Sequence, residues 1–237
     1  GACSAPEQRR TTAVPTAVTA DRTRSNGSSL NTTVNITGPD SRLVELSAAG
    51  SFTGSVKSAG AINTIRTETG DIVASIETTR GSATVGTIEA ARDLHIDAIF
   101  LASVHPLAPG RHIGTPGTTH VIVVRGPLGT VAVPDGQLYS DIRANRSIGS
   151  VTVGRGTSAP GRFDLGAGSI VSFSRINNVT INGDFDADII SYAGGIGTVR
   201  INNGSLLPGN MITAFDGSIS EVIIDSGHLL GNIHADQ

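Results

Sequence analysis

Gly60-Ala-Ile62-Asn-Thr-Ile65-Arg-Thr-Glu-Thr-Gly70-Asp-Ile72-Val-Ala-Ser-Ile76 decides the fold, because the same pattern returns further along the chain. Its counterparts are Leu128-Gly-Thr-Val131-Ala-Val133-Pro-Asp-Gly136-Gln-Leu138-Tyr-Ser-Asp-Ile142 and Ile196-Gly-Thr-Val199-Arg-Ile201-Asn-Asn-Gly204-Ser-Leu206. One template covers all three: apolar, two small or polar residues, apolar, a short alternation, a glycine, and two further apolar positions. A fixed self-similar period is the mark of a solenoid, in which each repeat buries its apolar face only against its neighbours.

Extended outward, the template lines up columns. The first holds Leu43, Ile62, Val85, Leu128, Ile148, Ile176, Ile196 and Ile219, and the second, three residues on, Leu46, Ile65, Ile88, Val131, Val151, Val179, Val199 and Val222. A glycine column (Gly50, Gly70, Gly136, Gly183, Gly204, Gly227) precedes Phe52, Ile72, Leu138, Phe185, Leu206 and Leu229. A last column takes Val56, Ile76, Ile142, Ile189 and Ile233, with Met211 one residue late.

The runs Val131-Ala-Val133, Val199-Arg-Ile201 and Leu94-His-Ile96 place apolar residues two apart, the period of a strand face. No segment sustains a helical period, and recurrent glycine would punctuate a helix badly. The pattern therefore predicts an all-β, right-handed parallel β-helix of about nine coils of about twenty residues, a rod of roughly 45 Å. Ile65, Val131, Val151, Val179, Val199 and Val222 are expected inside it. Asn63-Thr64, Gly86-Thr87, Gly129-Thr130, Gly149-Ser150 and Gly197-Thr198 read as corners, whose small polar side chains would stack into a ladder. That ladder is interrupted by Asn and by Glu221, so it makes no regular Thr face of the ice-binding kind.

Composition agrees. Hydrophobic residues make up 38% but aromatics only 3%, without Trp, so the core is aliphatic and suited to repeated layers. Seventeen basic and twenty acidic residues leave no electrostatic footprint for nucleic acid. A single cysteine, Cys3, excludes a disulfide within the chain, and no apolar run reaches the length of a transmembrane helix. The opening Gly1-Ala2-Cys3-Ser4 fits the end of a bacterial lipoprotein signal, with a lipid anchor at Cys3. Residues 1–29 read as a flexible leader and 30–237 as the β-helix, with insertions near 100–126 and 154–168 where the template lapses.

Ser147-Ile-Gly-Ser-Val-Thr-Val153, Gly195-Ile-Gly-Thr-Val-Arg-Ile201 and Gly217-Ser-Ile-Ser-Glu-Val-Ile-Ile224 resemble the GSIGSVTV-type repeats of very large secreted bacterial surface proteins, the planctomycete type especially. The resemblance spans roughly residues 43–237 and implies an exported, repetitive surface or matrix protein, with no catalytic residues to carry over. In outline the fold is similar to pectin-lyase-like β-helices, many of which act on polysaccharides.

For chemistry, Asp184, Asp186 and Asp188 alternate with inward Phe185 and Ala187. They would face outward together, as a polysaccharide lyase or hydrolase or a calcium site requires. Asp188 also shares a column with Ser55, Ser75, Asp141 and Asn232, which reads as a corner. His105, His112 and His120 crowd one irregular segment and are candidate metal ligands, although their spacing fits no short metal motif. Tyr139 and Tyr192 fall in different columns, which disfavours a sugar-stacking platform. Tripeptides such as Asn145-Arg-Ser and Asn178-Val-Thr fit a glycosylation sequon but follow from composition alone. Phosphate-binding glycine loops and a Ser/His/Asp hydrolase pattern are not seen, and no cofactor is implied.

The sequence thus points to a non-enzymatic secreted or cell-surface structural or adhesion module, with a polysaccharide lyase or hydrolase of the β-helix type as the alternative. The expected partners are extracellular polysaccharide or a second molecule at the C-terminal coil, since Gly231 to Gln237 still follow the template.

Overall fold

A computed structural model describes residues 21–25, 29–38, 40–101, 103–115, 120–154 and 169–236. The first ten strands are β1 (Asp21–Ser25), β2 (Leu30–Ile36), β3 (Leu43–Ala48), β4 (Phe52–Ser58), β5 (Ile62–Thr67), β6 (Ile72–Thr78), β7 (Val85–Ala90), β8 (Leu94–Phe100), β9 (Leu107–Pro109) and β10 (Val121–Val124). The second ten are β11 (Leu128–Val133), β12 (Asp141–Ala144), β13 (Ile148–Val153), β14 (Ile170–Ser172), β15 (Ile176–Asn182), β16 (Ile189–Ser191), β17 (Ile196–Asn202), β18 (Met211–Ala214), β19 (Ile219–Ile224) and β20 (Asn232–Ala235). Odd-numbered strands form one ten-stranded parallel sheet, sheet A, and even-numbered strands form the other, sheet B. The chain is a β-solenoid. Each coil contributes one strand to each sheet, and the described residues include no helix. None of them therefore forms a helix long and apolar enough to cross a membrane.

The first two apolar columns are pairing columns. Leu43 pairs with Ile62, Ile62 with Val85, Leu128 with Ile148, Ile148 with Ile176, Ile176 with Ile196 and Ile196 with Ile219. Coil length is not constant, running from 19 residues (Leu43 to Ile62) to 28 (Ile148 to Ile176). Loops between strands absorb the difference without disturbing the register.

Within β5, Ile62, Ile65 and Thr67 are buried while the consecutive Asn63 and Thr64 face outward. Two outward residues in succession bend the strand, and this bend is the corner read from the sequence. Its polar side chains do stack: Thr64 pairs with Thr87, and the Ser150 hydroxyl donates to Thr130 Oγ1 at 3.3 Å.

The interior is one continuous aliphatic column with Phe52, Phe100 and Phe185 as its largest buried rings. At strand ends the inward position often carries a hydroxyl, which bonds back to the corner that follows. Ser58 Oγ donates to the Gly60 carbonyl (2.8 Å) and Thr67 Oγ1 to that of Gly70 (2.7 Å). The first of these bonds serves a corner carbonyl, and the second adds to the Arg92 N–H that the Gly70 carbonyl already accepts at 3.2 Å.

Several expectations need correction. Residues 21–25, assigned to a flexible leader, form β1 and pair with β3. The stretch 100–126 is no insertion but a coil of its own. Val104 bridges Val85 and Leu128, Leu107 pairs with Ile88 and Val131, and Ile122 lies between Ala98 and Ile142. Ile212, not Met211, occupies the last apolar column, opposite Ile189 and Ile233. Val222 is half-buried while its column mates are fully buried, because its coil is covered on one side only. Cys3 and most of the 154–168 stretch lie outside the described residues.

Candidate functional site

The corner that leads into sheet B carries a relay of caps. Asp71 Oδ1 accepts the backbone N–H of Asp93 (3.1 Å), and Asp93 Oδ1 accepts that of His112 (3.1 Å). His112 Nδ1 in turn accepts the N–H of Gln137 (2.9 Å). Ser51 Oγ precedes them on Asp71 N–H, and Asp184 Oδ1 repeats the device on Ser205 N–H (2.9 Å). Each side chain therefore holds the equivalent backbone donor of the next coil, as an N-cap holds a helix end.

A second relay precedes the last apolar column. Asp97 Oδ1 faces Val121 N–H (3.4 Å), Asp141 Oδ1 accepts from Ser169 N–H (3.2 Å) and Asp188 Oδ1 from Met211 N–H (2.8 Å). Asp141 is fully buried, and its Oδ2 also takes a charge-assisted bond from Arg143 Nη2 at 2.9 Å. Burial pushes the Asp141 carboxyl above the ordinary Asp range, and the Arg143 and Ser169 donors offset only part of that. Burial, with the Asp93 carboxylate beside it, likewise raises Tyr139, whose hydroxyl donates to Gln137 Oε1 and whose ring lies 5.6 Å from that of His112.

Asp184, Asp186 and Asp188 do alternate outward, with Phe185 and Ala187 inside. Two of them are the caps just described, and Asp186 Oδ1 accepts from Asn210 Nδ2 (3.0 Å), which pins the loop at Leu207–Asn210. The three histidines are not brought together. His105 lies over Gly129 at the bend of sheet A, His112 sits in the first relay, and His120 Nδ1 faces Asp97 Oδ1 (3.4 Å) beside His95. Among the described residues no group of three His, Cys, Asp or Glu is placed to hold a metal ion.

The structure reveals a different surface feature. Phe173, Tyr192 and Phe215 follow the ends of β14, β16 and β18 and stand on three successive coils, 56%, 41% and 43% exposed. Their ring centroids are 5.1 and 5.4 Å apart, the second pair nearly parallel at 11°. Backbone bonds of 2.9 Å lock the register: Phe173 N–H to the Ala144 carbonyl, Tyr192 to that of Ser172, and Phe215 to that of Ser191. Next to the rings, Ser172 Oγ donates to the Arg146 carbonyl, and the single Ser191 hydroxyl proton is shared between the carbonyls of Ser174 and Gly194, which ties the corner backbone down at these two coils.

Half-buried Val171 and Ile190 lie beside the rings on the outer face of sheet B. Above the stripe, in the same two columns, stand exposed Arg143 and Asn145, and below it His234 and Asp236, which pair at 2.8 Å. The expectation that Tyr139 and Tyr192 fall in different columns concerned tyrosine alone and left the phenylalanines out. The missed signal was that Ser172-Phe173, Ser191-Tyr192 and Ala214-Phe215 each fall a fixed step after Ile170, Ile189 and Ile212.

Fold and surface together define the class: a two-sheet parallel β-solenoid with capped corners and an exposed aromatic stripe. Comparison with protein-family models, with curated proteins and with solved structures finds no match for this chain.

Proposed function

We propose that this chain is a non-catalytic structural or adhesion module of an exported, surface-displayed protein. The observation that carries the reading is the use made of the corner carboxylates. Asp71, Asp93, Asp97, Asp141, Asp184 and Asp188 each face a backbone N–H one coil along, the role of a cap. An acid or base in catalysis must instead direct its oxygen at a substrate. The likeness of Ser147–Val153, Gly195–Ile201 and Gly217–Ile224 to repeats of secreted surface proteins supports export, and a lipid on Cys3 would tether such a rod to a membrane.

The test is a depolymerisation screen. The protein is incubated with pectate, alginate, xylan and β-glucan, and new reducing ends or unsaturated products are measured, beside the triple variant Asp184→Asn, Asp186→Asn, Asp188→Asn. No product is expected from either protein, and the variant should lose little stability, because an amide oxygen still accepts a backbone N–H. Product that disappears in the triple variant would replace this reading with a polysaccharidase.

A further inference from the structure

We infer that the Phe173–Tyr192–Phe215 stripe is a contact site for an extended neutral polysaccharide lying along the rod axis. The inference rests on the reading of the chain as a non-catalytic adhesion module and names what that module adheres to.

Three properties of the stripe select this ligand. First, it is linear and narrow. The rings repeat once per coil, flanked on sheet B by Val171 and Ile190. From Asn145 to Asp236 the column spans four coil steps, on the order of 20 Å at one strand spacing per coil. Three rings in single file match a polymer chain a single residue wide, whereas a stable protein–protein interface spreads over roughly 800 Å² per partner.

Second, its character is amphiphilic in the manner of a sugar. Pyranose rings carry apolar C–H faces and a rim of hydroxyls. The aromatic and aliphatic side chains offer contact to the former, and Arg143, Asn145, His234 and Asp236 bracket the strip with donors and acceptors for the latter. Third, the ionic side chains in the bracket columns have close partners: Arg143 lies 2.9 Å from Asp141 and His234 2.8 Å from Asp236, so none of them is a lone charge at the ends of the strip.

The site is also preformed. The Ser172 and Ser191 hydroxyls tie down the backbone of two of the three corners, and the backbone bonds at Phe173, Tyr192 and Phe215 set their register, which lowers the ordering cost of binding.

The experiment is depletion binding of the full chain to amorphous cellulose, chitin and mannan. Pectate gel serves as the polyanionic control and gelatin beads as the polypeptide control. The wild type should be retained by at least one neutral glycan. Combined Phe173→Ala, Tyr192→Ala and Phe215→Ala should weaken retention at least tenfold. Phe173→Tyr with Phe215→Tyr should retain it, which separates loss of the ring surface from loss of folding, and the β-sheet circular dichroism of each variant is recorded alongside.

Equal binding by the folded triple-alanine variant would overturn the site. So would retention on pectate or gelatin alone, or no retention at all. Ring-dependent retention accompanied by soluble sugar product would keep the stripe and overturn the non-catalytic reading. Absence of both retention and product would overturn the stripe alone.

Discussion

The coil from Ile62 to Thr78 and the coil from Val104 to Val124 differ in almost everything that faces solvent. The first is joined to the preceding coil by ion pairs on both sheets, Arg66 with Glu45 (3.0 Å) on sheet A and Glu77 with Lys57 (3.0 Å) on sheet B. The second carries histidines and prolines, and Arg111 stands where Gly70 and Gly136 stand in other coils. Inside they are alike: Ile62, Ile65, Ile72 and Ile76 in one, Val104, Leu107, Ile113 and Ile122 in the other, all without solvent exposure. The difference teaches that the inward columns specify this fold, while corners and outer faces vary around them. Exposed ion pairs of this kind contribute only about 0–1 kcal/mol each, whereas each fully buried aliphatic side chain contributes about 1.5–3 kcal/mol.

The sharpest way to break the comparison is to charge the same column in both coils. Ile65→Asp and Leu107→Asp pair with each other's column through Ile88, and each would bury a carboxylate between apolar neighbours above and below. Both should lose roughly 3–5 kcal/mol or fail to fold, and Val199→Asp should do the same in a third coil. Thermal or urea unfolding measures the loss. A Leu107→Asp protein with an unchanged midpoint would remove the 104–124 segment from the stack.

A smaller effect sharpens the point about corners. A Cβ on Gly136 would lie 1.7 Å from the Arg111 carbonyl oxygen of the preceding coil. Gly136→Ala must push two coils apart and should cost about 1–3 kcal/mol. At Gly81 the nearest atom to such a Cβ is the Leu101 carbonyl oxygen at 3.9 Å, so Gly81→Ala should change stability by no more than about 0.5 kcal/mol. Equal denaturation midpoints for the two variants would show that the close approach at Gly136 is not a constraint.

This contrast explains what was legible in the sequence. The apolar columns were readable because Ile, Val and Leu recur at a fixed three-residue step in nearly every coil. The 104–124 coil keeps that step at Val104 and Leu107, but Pro106, Pro109 and the absent glycine hid it. Strand β1 was hidden for a different reason. Asp21, Thr23 and Ser25 stand at the register positions of Leu43, Leu46 and Ala48, so no apolar pattern announces it. The corner role of Asp188 could be anticipated from its column, whereas the N–H it caps belongs to another coil and needs coordinates. The aromatic stripe stayed hidden because the 28-residue coil and the choice of Met211 over Ile212 put its members out of step.

The smallest expected effect concerns Asp141, a corner residue that, unlike its exposed counterpart Asp97 in the same relay, is fully buried. Its folded-state pKa is raised, chiefly by desolvation, with Arg143 and the Ser169 N–H acting in the opposite direction. Between its unfolded value, roughly 3.9, and its raised folded value, the folded chain binds more protons at this site than the unfolded chain. Linkage then makes the Asp141 contribution to stability greatest below the unfolded pKa, and that contribution is lost as pH rises through the folded pKa. Asp141→Asn removes the titration while leaving a side-chain oxygen for the Ser169 N–H. Chemical denaturation of both proteins across pH 3 to 8 isolates the site, because the other carboxylates cancel in the difference. The variant should gain stability relative to the wild type as pH rises through the acidic range, and the gap should level off once Asp141 is ionised. A gap that does not change with pH would show that its burial is relieved in solution. A gap of the opposite slope would show that Arg143 outweighs desolvation and that this corner is held together by the ion pair.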